Sequence, residues 1–276
     1  SAVTQPFANQ QGCRISGAVE AANLPPCGGD GRQARGGCEE APPDKPQAAC
    51  IMILLAIDCA ASLCAASVHD AGAGRELGRS VRDLGKGHAE HLMAVIDEAL
   101  AQAGKTYADL GRIAVSTGPG SFTGVRVGVS AARGFSLALK IPAIGVTTLE
   151  ALAAETRDAL GSRVVFAALD AGRDEIHAAL YDAQGVVLRE PAVLTLDEAA
   201  AIAASGQMAL AGTAATLVAG AAGKPIEFGP MLATADIGTY ARLAAAKVPG
   251  DRPKPVYLRA PDAKPQAGFV LPREAK

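Results

Sequence analysis

The sequence predicts an α/β protein in which residues 52–276 contain two similar halves. Short apolar runs that read as strands alternate with segments whose apolar residues recur at helical spacing, as in layered α/β folds. A strand that ends in an aspartate, followed by small residues and an Ala-rich second strand, occurs twice. The spacing from Asp58 to Asp70 is twelve residues, and the spacing from Asp170 to Asp182 is the same.

The first half reads as three strands, a helix, a strand, a helix, a short strand and a helix. The predicted ranges, in that order, are 53–58, 63–69, 76–81, 88–103, 112–117, 122–139, 144–146 and 148–156. Small residues after the first strand predict a tight hairpin, and Gly104 ends the first helix. The second half begins again with strands at 164–170 and 175–182. Duplicated units of strand, hairpin, strand and helix predict the two-lobed fold shared by actin, sugar kinases and the Hsp70 ATPase domain, although chance similarity between Ala-rich strands is the alternative.

Composition divides the chain further. Residues 1–51 hold four of the six cysteines but only six residues drawn from Leu, Ile, Val and Phe, too little apolar area to offset the entropy of ordering. The cysteines form no CxxC pair and have no histidine among them, which disfavours a metal knuckle. We interpret 1–51 as a disordered leader or an upstream extension that precedes a natural start at Met52. The lobes are predicted at 52–157 and 158–248, followed by a basic, Pro-rich tail at 249–276 that is partly packed and then disordered.

Charge and hydropathy exclude two classes of function. The chain has 26 Lys and Arg against 28 Asp and Glu, a net charge of -2, so it lacks the positive field of an independent nucleic-acid binder. The longest apolar run, 48–57, has ten residues, whereas a membrane span needs about 20. We therefore expect no membrane contact and a cytoplasmic location.

The sequence Gly-Pro-Gly-Ser-Phe-Thr-Gly at 118–124 joins a predicted strand to a helix. Ser121 can cap the helix. The turn either binds a phosphate or carboxylate or is a tight turn with only a structural role. It is not a P-loop, because no Gly-Lys-Ser/Thr follows. In two-lobed nucleotide-binding folds, Asp58 and Asp170 would stand beside phosphate and Mg²⁺, but the turn Asp-Cys-Ala-Ala-Ser at 58–62 lacks the glycine that a phosphate needs. Asp58, Ser121 and Asp170 are therefore predicted as a vestigial nucleotide or anion site with weak or absent ATP binding.

A row of small residues marks the second predicted helix. Gly120, Gly124, Gly128 and Ala132 are four residues apart and share one face. A glycine inside a helix costs about 1 kcal/mol relative to alanine, so the row predicts close approach of another element. The sequence leaves open whether that element is internal or belongs to another chain.

Several stretches closely resemble the TsaB/YeaZ family. They are the strand at 53–58, Gly-His-Ala-Glu-His-Leu at 87–92, Gly-Pro-Gly-Ser-Phe-Thr-Gly-Val-Arg-Val-Gly at 118–128, and Thr-Thr-Leu-Glu-Ala-Leu-Ala at 147–153. Later landmarks at 170–176 and 255–259 extend the resemblance over most of 52–262. The resemblance implies a non-catalytic subunit of the bacterial machine that installs threonylcarbamoyl on the adenosine beside the tRNA anticodon.

The resemblance also implies the partners. They are the catalytic paralogue TsaD, which holds the metal, and the ATPase TsaE, which uses the ATP, so that this chain needs no cofactor and meets tRNA indirectly. A homodimer is the alternative assembly when the chain is alone. TsaD carries a His-His-Met-Glu-Gly-His run that supplies two metal ligands, and Thr148 and Leu152 stand at those two positions here. Neither side chain replaces an imidazole, so no metal site is expected.

The resemblance places the first two helices at the contact with TsaD or with a second copy. We expect leucine at Gly128 to prevent pairing and to leave the monomer folded. The residues predicted to form the interface are His88, Leu92, Val95, Ile96, Gly120, Gly124, Val127, Gly128, Ala131, Ala132 and Phe135.

Residues 242–276 contain eight Lys or Arg against three acids, and this segment either touches tRNA phosphates or is only solvated. Two enzymatic alternatives remain. A glycoprotease-like metallopeptidase would need a metal constellation, and a two-lobed small-molecule kinase would need glycine-rich phosphate turns.

Overall fold

A computed structural model describes residues 52–258, so the interpretation of 1–51 as a leader and that of the tail beyond residue 258 lie outside the described residues. The first half follows the predicted order of elements. Its strands and helices are β1 Ile53–Asp58, β2 Leu63–Asp70, β3 Arg75–Asp83, α1 His88–Ala103, β4 Leu110–Ser116, α2 Phe122–Leu139, β5 Ala143–Val146 and α3 Thr148–Leu160.

The second half repeats that order element by element. Its members are β6 Val165–Asp170, β7 Glu175–Tyr181, β8 Val187–Thr195, α4 Leu196–Ala204, β9 Ala209–Ala211, α5 Ala215–Ala222, β10 Glu227–Phe228 and α6 Ile237–Ala246. The two five-stranded sheets have matching strand orders, β3-β2-β1-β4-β5 and β8-β7-β6-β9-β10. In the first sheet the central strand β1 is antiparallel to β2 and parallel to β4. In the second sheet the central strand β6 is antiparallel to β7 and parallel to β9. The predicted two-lobed α/β fold with duplicated units is confirmed.

The helices form layers around the two sheets. Helices α1 and α2 cover the outer face of the first sheet, and α4 and α5 cover the outer face of the second. Helices α3 and α6 share a core between the sheets. There α3 packs on β6 and β7, whereas α6 packs on β1 and β2, so each half places its last helix on the other half's sheet. The lobe boundary near residue 157 stays a prediction.

Strand β1 is buried on both faces, which explains its unbroken apolar sequence. Leu54 and Ala56 point into the core between the sheets, and Leu55 and Ile57 point under α1 and α2. The edge strand β3 is longer than the predicted 76–81, because its charged, half-exposed residues obscure the strand pattern in the sequence.

The small-residue row of α2 packs inside the chain. A Cβ atom at Gly124 would collide with the Cys59 carbonyl oxygen, and a Cβ atom at Gly120 would collide with the Ala60 carbonyl oxygen. At Gly128 a Cβ atom would meet the Cys59 Cβ at 3.7 Å. The close partner is therefore the turn after β1. We therefore expect Gly128→Leu to destabilise the monomer itself, because the leucine side chain would enter this core.

Replacing Gly124 with alanine tests this contact. We expect Gly124→Ala to lower the free energy of unfolding by about 1–3 kcal/mol, because helix α2 has to move away from the turn to admit the new carbon. The matched control is Gly134→Ala, on the same helix, where a Cβ atom meets nothing within 4 Å. The control should keep or slightly raise stability, since alanine favours the helix. Chemical denaturation measures both variants, and equal stability of the two would contradict the close contact.

Candidate functional site

A cavity of about 930 Å³ opens between the two halves of the fold. Its walls come from the turn after β1, the start of α2, the end of β6 and the chain segment 256–258. The volume lies within the range of about 300–1,000 Å³ that is typical of small-molecule sites. Because β1 and β6 are the equivalent central strands, the cavity lies where the carboxyl ends of both halves meet, as ligand sites do in open α/β sheets.

The structure brings together two of the three residues predicted as an anion site. Ser121 and Asp170 line the cavity, whereas Asp58 is 1% exposed and lies behind it. The Asp58 carboxylate accepts hydrogen bonds from the Thr234 hydroxyl at 2.7 Å and from the Ala60 backbone N–H at 2.8 Å. Asp58 is therefore a structural residue that connects β1 to the chain before α6.

Asp58 begins a buried polar network. The Thr234 hydroxyl also lies 2.7 Å from the Tyr240 hydroxyl of α6, and both residues are buried. Burial raises the pKa of the Asp58 carboxyl, and the hydrogen bonds to it only partly offset that effect. Sequence reasoning missed Thr234 and Tyr240, since Thr234 is 176 residues from Asp58 and no local pattern marks the pair.

Two backbone N–H groups at the start of α2 are already used within the chain. The Ser121 backbone N–H donates to the Ala60 carbonyl at 2.6 Å, and the Gly124 N–H donates to the Ser121 hydroxyl at 3.2 Å. The Gly124 N–H is one of the groups that an anion at a helix N-terminus would use. Ala60 and Ala61 add Cβ atoms at the turn after β1. The vestigial nucleotide or anion site with weak or absent ATP binding stays a prediction.

The rim of the cavity carries a cluster of two aromatic rings and a guanidinium. Arg126 lies 3.6 Å from the centre of the Phe122 ring, and its Nε donates to the Tyr257 hydroxyl at 2.7 Å. The two rings are 5.9 Å apart, and Phe122 and Tyr257 are 58% and 52% exposed. The Val256 N–H donates to the Thr117 carbonyl at 2.8 Å and holds this segment in place. No local sequence pattern marks this cluster, because Arg126 and Tyr257 are 131 residues apart.

Most of the residues predicted for a partner interface face the chain's own sheet. Apolar stripes on helices normally face the core, and this stripe does so. Gly120 is exposed, Val127, Ala131 and Phe135 are half-buried, and the buried members are His88, Leu92, Val95, Ile96, Gly124, Gly128 and Ala132. The predicted interface stays a prediction. The outward faces of α1 and α2 instead present Met93, 47% exposed, and Leu137, 73% exposed.

Residues 52–258 contain no group of three or more His, Cys, Asp or Glu side chains placed to hold a metal ion. Thr148 and Leu152 are fully buried in α3. The thiols of Cys59 and Cys64 are buried and lie 4.0 Å apart. Within the same described range, no helix combines the length and the hydropathy that a membrane crossing requires.

Two sheets that exchange helices around an interlobe cavity define a protein of the actin-like, two-lobed α/β class. The family model described as TsaD, tRNA N6-adenosine threonylcarbamoyltransferase, matches residues 82–234. The chain belongs to the TsaB/YeaZ family.

Individual relatives agree with this assignment. An uncharacterized protein of Mycobacterium tuberculosis is 36% identical over 225 residues, which cover 79% of this chain and 96% of that protein. The tRNA threonylcarbamoyladenosine biosynthesis protein TsaB of Escherichia coli is 32% identical over 130 residues, or 47% of this chain and 55% of that one. The solved structure of YeaZ from Pseudomonas aeruginosa superposes with a TM-score of 0.62 and 28% identity, covering 75% of this chain and all of that one.

The raised pKa of Asp58 predicts a pH dependence of stability. A carboxyl whose pKa is higher in the folded state than in the unfolded chain stabilises the fold below the unfolded pKa, near 3.8, and that contribution is lost as pH rises through the folded pKa. We expect Asp58→Asn to remove this loss. Unfolding free energies of both proteins, measured from pH 4 upward, should diverge with the wild type falling relative to the variant. Parallel curves would contradict an ionisation penalty at Asp58.

Proposed function

We propose that this chain is a non-catalytic subunit of a cytoplasmic complex that makes threonylcarbamoyladenosine in tRNA. In this proposal it pairs with the catalytic paralogue TsaD and is served by the ATPase TsaE. The observation that carries the proposal is the membership of the TsaB/YeaZ family, whose Escherichia coli relative is named for this biosynthesis. The name of the matching family model, a tRNA threonylcarbamoyltransferase, supports the same pathway.

The burial of two residues in α3 supports the proposal that this chain is not catalytic. Thr148 and Leu152 stand where the resemblance to TsaD expects two metal-binding histidines, and both are 0% exposed in the core between the sheets. A threonine hydroxyl and an aliphatic chain do not supply the nitrogen ligands of such a site. The alanines in the turn after β1 likewise disfavour a triphosphate there. Metal and ATP therefore belong to the partners in this proposal.

The outward faces of α1 and α2 are the proposed pairing surface. Met93 and Leu137 are large apolar side chains with no cover in the described chain, and we assign both to one contact patch, because contiguous exposed apolar surface marks protein contacts. Gly134 lies one turn before Leu137 and leaves a smooth patch, since nothing lies within 4 Å of its missing Cβ. In the absence of TsaD, a second copy of this chain would cover the same surface.

The charge distribution supports indirect contact with tRNA. Two of the basic residues near the C-terminal end are already paired within the chain, Lys247 with Glu150 at 2.7 Å and Arg242 with Asp158. The net charge of the whole chain is -2. A protein that held tRNA by itself would need free cations along a shared surface, so we assign the main tRNA contacts to the partners.

Reconstitution tests the proposed function. The purified full chain is expected neither to hydrolyse ATP nor to modify tRNA alone. It should be required when TsaD, TsaE, tRNA and threonylcarbamoyl-adenylate are supplied together, because the catalytic paralogue depends on its pairing subunit. Incorporation of labelled threonine into tRNA measures the reaction. Modification at full rate without this chain would overturn the proposal.

A glycine substitution tests the pairing surface. We expect Gly134→Leu to reduce the amount of TsaD recovered with the tagged chain by at least about ten-fold, because the new side chain protrudes from the smooth patch. The matched control is Gly220→Leu on α5, another helical glycine whose missing Cβ has nothing within 4 Å. Both variants should melt at or above the wild-type temperature, since leucine favours a helix over glycine. Equal recovery of TsaD by Gly134→Leu and the control would place the interface elsewhere.

A further inference from the structure

We propose that the interlobe cavity binds a neutral nucleoside and rejects the corresponding nucleotide. In this arrangement the base stacks on the Phe122 ring at the rim, beside Tyr257, and the sugar hydroxyls donate to the carboxylate of Asp170. Pairing with TsaD requires no ligand in this cavity, so the inference goes beyond the proposed function. It concerns the chain by itself and stands whether or not the complex forms.

The wall that would face a phosphate group is unsuited to negative charge. Ala61 contributes a Cβ atom to the turn after β1, and the Ser121 N–H is already bound to the Ala60 carbonyl at 2.6 Å. Asp170 adds a carboxylate to the same cavity, and it repels a polyphosphate. Among the described residues that line the cavity, Arg126 is the only Lys or Arg, and it donates to Tyr257.

The rim is suited to an aromatic base. Phe122 and Tyr257 remain more than half exposed although both belong to a cavity wall. The guanidinium of Arg126 lies over both rings, at 3.6 Å and 5.3 Å from their centres, and so keeps the cluster in a fixed arrangement. Nucleobases stack on aromatic rings and guanidinium planes irrespective of base identity.

The opposite wall is suited to a sugar. The Asp170 N–H donates to the Thr213 hydroxyl at 2.9 Å, and one Asp170 carboxylate oxygen accepts from the Gly172 N–H at 2.8 Å, which fixes the carboxylate at the end of β6. A carboxylate placed in this way is the usual acceptor for ribose hydroxyls in nucleotide-binding α/β folds. Leu169, Val256 and Leu258 add apolar surface to the cavity, as is typical of small-molecule sites.

Calorimetric titration of the full chain tests the inference with three ligands. They are adenosine, ATP and 2′,3′-dideoxyadenosine, which lacks both sugar hydroxyls. We expect adenosine to bind at least about ten-fold more tightly than either of the others. Phe122→Ala should weaken adenosine by about ten-fold through lost stacking. Its matched control, Phe228→Ala, removes an exposed phenylalanine outside the cavity and should leave the affinity unchanged.

Asp170→Asn separates the sugar contact from the phosphate repulsion. It should weaken adenosine, leave dideoxyadenosine unchanged and strengthen ATP, whereas Asp197→Asn on the surface of α4 should alter none of them. Three results would overturn the inference. They are no binding of adenosine, binding of ATP as tight as that of adenosine, and adenosine affinity that Asp170→Asn does not change.

Discussion

The contact between the start of α2 and the turn after β1 determines much of this structure. Gly124 lies directly over the Cys59 carbonyl, and the Ser121 N–H donates to the Ala60 carbonyl at 2.6 Å. This contact holds α2 on its sheet and occupies the Ser121 N–H. It also directs Phe122 and Arg126 toward the cavity rim. One local constraint thus both packs the first lobe and shapes one wall of the cavity.

A second constraint connects the two halves. Each half contributes its last helix to the other half's sheet, and the buried carboxylate of Asp58 is bound to Thr234 at 2.7 Å, just before α6. Because the central strands of both sheets are covered by helices on both faces, neither half has a complete core alone. The shared core contains buried residues from both halves, so the two halves depend on each other for burial.

The sequence predicted the periodic elements well and the long-range contacts poorly. Both long helices were predicted with their observed bounds, because apolar spacing and the Gly104 stop are local signals. The pairs Asp58 with Thr234 and Arg126 with Tyr257 are separated by 176 and 131 residues, and no local pattern marks them. The interface prediction selected mostly buried residues such as Leu92, because the same apolar stripe marks a helix's own core and a docking face. Only the folded arrangement distinguishes the two faces.

The central claim is that this chain keeps a nucleotide-binding fold but acts through the outward faces of α1 and α2. Hydrogen exchange of the full chain, measured with and without TsaD, tests that claim most directly. The account predicts that TsaD slows exchange in His88–Ala103 and Phe122–Leu139 and leaves Ala215–Ala222 unchanged. Protection confined to α4 and α5, with α1 and α2 unaffected, would contradict it.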